Sequence, residues 1–314
     1  MMKLPTFPAI LTSVLLVTAA SAAEFKPYTL PGCTETVVKS AEGKEYRVMI
    51  SVPEGEAPAG GHSVTYVLDG DELFPVVTSV LKMQAGTGKL SKHNGIVPGI
   101  VVGIGYPGES RRDFDYTLDA PAGPPETYRN GKPYPPRPGG GADKLLDFIL
   151  KEVRPLVEKQ QKVDTSRQTL MGNGYGGLFA LHVLFTKPEL FQTYIASSPS
   201  IWWNDRYILK EEAAFRERIA KEPVKATLVL TVGEQEQSLT RIESSWAEDE
   251  REEHRLKVTR RKMVDNTREL FWRLDQASTP EFPVSFRMFE GESHKSVIPM
   301  AVSYALPFAF PAAP

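Results

Sequence analysis

The segment QTLMGNGYGGLFALHVLF, Gln168 to Phe185, has the residue types and spacing of a reactive turn. An apolar strand end, Thr169 to Met171, runs into Gly172-Asn173-Gly174-Tyr175-Gly176-Gly177. Apolar residues then recur at helical spacing, at Leu178, Phe179, Leu181 and Leu184. Strand, tight turn, helix is the setting in which a Gly-x-Ser-x-Gly elbow presents a serine hydroxyl to an acyl group. The serine's place in that pattern is taken by Gly174, so the chain has the turn without its nucleophile.

The other parts of acyl-transfer chemistry follow in the order such an elbow requires, an acid and then a base, each after a strand. His294, in FEGESHKSV, follows the last predicted strand and suits a general base, because imidazole takes and returns a proton near neutral pH. Glu236 lies beyond LVLTVG, where a carboxylate can accept the second imidazole N–H and fix the tautomer. Glu234, nearer the strand end, competes for that role. An oxyanion hole would use the backbone N–H of Tyr175 and that of Asp71, in the turn Gly70-Asp71. Neither donor depends on a side chain. Ser197, Ser198 and Ser200 belong to another strand end and do not stand at the elbow.

The elements that must position these groups alternate along the chain. TETVVKS and KEYRVMISVP read as strands of an N-terminal hairpin joined at Ala41-Glu42-Gly43. HSVTYVLDGDELF contains a buried strand ending at Asp69-Gly70-Asp71, and GIVPGIVVGIGYP another. Further strands are expected in QTYIASSPS, ATLVLTVGEQE and PVSFRMFEGESH, and helices in ADKLLDFILKEVRPLVEKQ, KMVDNTRELFWRLDQAS and SVIPMAVSYALPFAF. Apolar strands alternating with helices predict an α/β fold: a mostly parallel, twisted central sheet with helices on both faces. Residues 119–141, dense in proline and glycine, are too irregular for an element and read as a functional loop. The charged stretch Arg241 to Lys262 reads as a solvated helix laced with pairs such as Glu253 with Lys257.

Composition narrows the function. With 37 basic and 39 acidic residues in 314, the chain lacks the basic excess of a nucleic-acid binder. Lys3, the apolar run from Ala9 to Ala19 and Ala20-Ser21-Ala22 fit a secretory signal over 1–22, which predicts an exported, periplasmic protein with one domain over 23–314. No later stretch is long enough to span a bilayer. Cys33 stands alone, so no internal disulfide is expected, and the five histidines are too scattered for a metal site. Neither metal nor cofactor is implied.

YVLDGDELF, RRDFDYT, GGADKLLDFILKEVRPLVEK, LMGNGYGGLFALHVLF, SSPSIWWND and FEGESHKSVIP together resemble the exported esterases of the α/β-hydrolase superfamily related to enterochelin (ferric-siderophore) esterases. The resemblance runs from about Thr34 to Ala309. It implies an α/β-hydrolase fold and cleavage of carboxylic esters, in some members the trilactone of a catecholate siderophore in the periplasm. On that resemblance His294 falls on the base, Glu236 on the acid and Gly174 on the serine, while Asn173 replaces a histidine often found before it. Arg111, Arg112, Arg129 and Arg137 flank or lie in the proline-rich loop, and guanidinium groups suit an anionic ferric catecholate. Trp202 and Trp203 offer aromatic faces to a substrate or, equally, to the core. Two readings follow: an ester hydrolase weakened or inactivated at Gly174, and a pseudoenzyme that binds an ester ligand without cleaving it.

Overall fold

In the computed structural model, residues 25–86 and 95–312 are described. The signal expected over 1–22 lies outside them. Among the described residues, eight strands form one sheet in the order β1-β2-β4-β3-β5-β6-β7-β8. The hairpin β1 (Cys33–Lys39) and β2 (Glu45–Ser51) is antiparallel and joins the sheet against β4 (Ile100–Gly105). From β4 outward, β3 (His62–Val67), β5 (Val163–Asn173), β6 (Thr193–Ser197), β7 (Thr227–Gly233) and β8 (Val284–Phe289) run parallel. This is the predicted sheet, with its hairpin at one edge.

Period-two alternation builds two cores, one on each face. Val64, Tyr66 and Leu68 of the β3 segment, with Leu170, Tyr194 and Leu228, point to one side; Val67, Met171, Ile195 and Val229 point to the other. Helix α1 (Gly70–Ala85) covers the second face. It begins two residues after β3, where Asp69 adopts a left-handed φ of 50° and its carbonyl accepts the N–H groups of Glu72 and Leu73. This helix is hidden in the sequence, because the apolar residues of its first turn continue those of β3.

On the first face, a single helix was expected over 142–160. The chain instead forms α3 (Ala142–Phe148), a π-helical turn at Ile149–Val153 and α4 (Arg154–Gln160), preceded by the one-turn α2 (Arg112–Asp115). Pro155 has no N–H to donate into the ladder, which explains the break. Helix α5 (Tyr175–Thr186) follows the elbow and is buried along nearly its whole length. The short α6 (Trp203–Arg206) and α7 (Ile208–Ile219) come next. Then follow α8 (Glu248–Arg261), α9 (Met263–Asp275) and α10 (Val297–Ala309). The described residues from Pro31 onward make one compact unit.

Candidate active site

Gly174 is the single residue between β5 and α5, at φ 60° and ψ −115°. Its N–H donates to the Ser197 carbonyl at 3.0 Å, and its own carbonyl accepts the N–H groups of Leu178 and Ser200, each at 3.0 Å. These bonds fix a backbone that costs a residue with a side chain about 1–3 kcal/mol and glycine very little. The strained turn of an elbow thus persists although nothing projects from it.

His294 is aimed at this point. A Cβ built on Gly174 would stand 3.3 Å from His294 Nε2 and 3.7 Å from Arg112 Nη2. The other imidazole nitrogen, Nδ1, lies 2.6 Å from Glu236 Oε2. Because a carboxylate is the acceptor there, Nδ1 carries the proton and Nε2 presents its lone pair to the elbow. Glu236 sits on the 3₁₀ turn Glu234–Gln237 that follows β7, and it is buried. Its Oε1 accepts the Gly233 N–H at 2.7 Å and the Ser198 hydroxyl at 2.5 Å. Glu234 turns away and accepts the Gly291 N–H at 2.9 Å, pinning the loop that carries His294. Of the two glutamates left open by the sequence, the structure brings Glu236 to the imidazole.

The N–H groups of Tyr175, Gly70 and Asp71 open helices α5 and α1, and N–H groups at such positions have no intrahelical acceptor. The first turn of α1, Asn173, Arg112 and His294 share a cleft of about 350 Å³. The Asp71 carboxylate is committed to the scaffold, accepting from Arg47 Nη1 at 2.9 Å and from the Tyr106 N–H at 2.8 Å. Arg112 is held over the elbow by Asp69, Nε to Oδ1 at 2.8 Å and Nη2 to Oδ2 at 3.0 Å.

A second cavity, about 420 Å³, adjoins the elbow through Tyr175. The proline-rich loop forms one wall, with Trp202, Trp203, Arg137, Lys257 and Arg261 around it. The Tyr175 ring lies 5.9 Å from that of Trp202 and 5.4 Å from the Arg112 guanidinium. Arg261 stacks on Trp202 at 3.7 Å and forks onto Glu126 at 2.8 and 2.7 Å. Burial, reinforced by the neighbouring Arg261 charge, holds the Lys257 amine below the ordinary lysine range.

Two of the arginines singled out in the sequence are not brought to either cavity. Arg111 lies over the rings of Tyr46 and Tyr106, at 4.7 and 4.9 Å, and donates to the Glu45 carbonyl. Arg129 pairs with Asp249 at 3.0 Å and donates its backbone N–H to Glu253, tying the loop to α8. Each has found a nearer partner than the cleft. Conversely, Lys257 and Arg261 were missed. Helix α8 is no free solvated rod: Glu253 accepts from the Arg129 N–H and from the Tyr134 hydroxyl, at 2.8 and 2.7 Å. Lys257, Arg260 and Arg261 fall on one helical face, and that clustering is the one signal in the sequence of a basic face turned toward a partner.

Among the described residues no group of three or more His, Cys, Asp or Glu is placed to hold a metal ion. No helix among them is long and apolar enough to cross a membrane.

The sheet order and the strand–turn–helix elbow beneath a Glu–His pair define an α/β-hydrolase. The chain belongs to the esterase family whose model, described as "Putative esterase", matches residues 40–271. It is 35% identical over 287 residues to the ferri-bacillibactin esterase BesA of Bacillus subtilis, covering 90% of this chain and 91% of that one. It is 33% identical over 299 residues to the siderophore triacetylfusarinine C esterase of Aspergillus fumigatus, covering 90% and 95%. The solved siderophore hydrolase EstA of Aspergillus nidulans superposes with a TM-score of 0.78 at 30% identity, over 91% of this chain and 97% of that one.

Proposed function

We propose that this protein takes a siderophore-type carboxylic ester into the cleft above Gly174 and hydrolyses it slowly, for want of a side-chain nucleophile. The observation that carries the reading is the Glu236–His294 pair, whose Nε2 stands 3.3 Å from the place of a Cβ on Gly174. An acid–base pair aimed at the elbow suits attack on an acyl group. The class of ester is supported by relatives named for ferri-bacillibactin and triacetylfusarinine C. It is supported also by the cavity beside Tyr175, where Trp202 and Trp203 offer aromatic surface and Arg137, Lys257 and Arg261 offer positive charge. A ferric catecholate, an anion carrying aromatic rings, matches both.

In a comparable triad, loss of the nucleophile lowers turnover about a millionfold and leaves roughly a thousandfold or more over water. The same substitution favours the second reading, binding without cleavage. Purified protein and its Gly174→Ser form, assayed side by side with short acyl esters and a ferric catecholate trilactone, separate the two. The serine form is expected to hydrolyse the trilactone rapidly, and the unmodified chain to bind it with saturable quenching of tryptophan fluorescence. If the serine form cleaves neither substrate, or the unmodified chain does not bind, the reading is wrong.

A further inference from the structure

Gly174 does more than delete an oxygen, because it leaves a space bounded by groups that retain their orientation. His294 is held toward it, its Nδ1 tied to Glu236 and Glu236 itself held by Ser198 and Gly233. The Cβ position on Gly174 lies 3.3 Å from His294 Nε2, 3.5 Å from its Cε1 and 3.7 Å from Arg112 Nη2. The His294 side chain is 44% exposed, so the space opens to solvent. A water there would donate to Nε2 at about 2.8 Å and accept from Arg112, whose Nη2 has a second hydrogen beyond the one given to Asp69.

Resting on the proposed ester-binding function, we propose that this water is the nucleophile, activated by His294, and that the chain cleaves its ester in a single attack with no acyl-enzyme. His294 Nε2 removes a proton as the water oxygen bonds to the carbonyl carbon. The carbonyl electron pair moves onto oxygen, opposite the N–H of Tyr175. When the tetrahedral adduct collapses, the ester C–O bond breaks and the leaving alkoxide takes the proton from Nε2. Free acid and alcohol result, and the imidazole returns to its starting state. The two half-reactions of a serine enzyme become one because the attacking oxygen was never attached to the chain. Ser197 and Ser198 do not compete: Ser198 is fully buried with its hydroxyl on Glu236, and Ser197 is buried within the sheet.

The inference ranks three residues at position 174 in an unusual order, Ser above Gly above Ala. An alanine methyl would stand where the water must sit, so Gly174→Ala should lose about a hundredfold of the residual rate. His294→Gln, which keeps the ring's place but cannot take a proton, should lose about a hundredfold or more. Hydrolysis of a short acyl ester by the unmodified chain should show no burst, give no acylated protein by mass spectrometry and resist a fluorophosphonate that inactivates Gly174→Ser.

The following results would overturn the inference while leaving the ester-binding function intact, provided that Gly174→Ser is active. They are an unmodified chain no faster than buffer, a His294→Gln variant as fast as its parent, and an acylated residue in the unmodified chain. A folded Gly174→Ala as fast as the parent would overturn it equally. Should the methyl at φ 60° prevent folding, His294→Gln and the mass spectrum still decide. Failure of Gly174→Ser itself would instead sink the ester reading on which the inference rests.

Discussion

Ser198 and Glu236 meet at 2.5 Å, hydroxyl to carboxylate, in the buried floor beneath His294. Ser198 achieves this from a backbone φ of 44°, uncommon for a residue with a side chain. Strain of this kind persists where the surroundings over-determine it. Here the Ser198 N–H donates to Thr231 at 2.7 Å and locks the turn. The relation links the end of β6 to the end of β7 and decides how Glu236 faces the imidazole.

The first prediction follows from that bond. Ser198→Gly accepts the backbone conformation but removes one of the two donors on Glu236 Oε1. In a Gly174→Ser background it should lower kcat about tenfold with KM little changed, since it disturbs orientation rather than substrate contact. A thermal melt close to that of the parent, with kcat also unchanged, would show that the hydroxyl has no positioning role.

Lys257 supports a second prediction, on ligand binding. Its amine is held below the ordinary lysine range, first by burial and then by the Arg261 charge. Its positive charge is therefore lost as pH rises at a lower pH than for a free lysine, whose pKa is about 10.4. Affinity for an anionic ferric catecholate should fall as pH rises through this titration. Lys257→Met should bind more weakly at neutral pH and show a flatter pH dependence. An unchanged Kd in a fluorescence titration would place the anion elsewhere.

The sheet and the elbow were legible in the sequence because each depends on local patterning: period-two apolar strands, and glycines in a turn between strand and helix. The Glu–His pair was legible through chain order alone, with two glutamates left open. Deciding between Glu236 and Glu234 required the 3₁₀ turn after β7, whose direction is set by contacts with Gly233 and Gly291. Lys257 and Arg261 were hidden for a different reason. Their surroundings come from the proline-rich loop more than a hundred residues earlier, joined through Glu126 and Thr127. Arg129 is drawn off by Asp249, far along the chain, whereas Arg111 is held by Tyr46 and the Glu45 carbonyl together with Tyr106 and Asp115, its near neighbours in sequence.

A third prediction concerns stability. His182 in α5 is buried, with Nδ1 2.8 Å from Glu211 of α7 and Nε2 at ion-pair distance, 3.8 Å, from Asp143 of α3. Burial alone would lower its pKa, but the Asp143 and Glu211 carboxylates outweigh burial and push it up to about 9. Against an unfolded value of 6.5 that corresponds to about 3 kcal/mol. A raised folded pKa means the stabilisation is complete below about pH 6.5 and is lost as pH climbs to about 9. His182→Gln should melt well below the parent at pH 6, and the gap should close near pH 9.5. A gap independent of pH would show that the imidazolium does not clamp these helices.

The last prediction tests why the elbow tolerates no bulk two residues before Gly174. A Cβ on Gly172 would stand 2.3 Å from both the carbonyl carbon and the oxygen of Gly176. Both are backbone atoms in the first turn of α5, so no side chain can rotate aside. The φ of Gly172 is an ordinary one, which makes contact rather than conformation the constraint. Gly172→Ala must therefore push α5 away from β5, carrying with it the Tyr175 N–H and the residue at 174. The cost should be about 1–3 kcal/mol of overpacking. In the Gly174→Ser background kcat should also fall about a hundredfold, because the attacking atom and the oxyanion donor shift against His294. Gly60→Ala is the control: its Cβ would make an ordinary contact, 3.8 Å from Asp164 Oδ2, far along the chain from the elbow. Thermal unfolding and kcat measured on both variants distinguish the cases, and equal behaviour of the two would contradict the close packing of strand on helix at this turn.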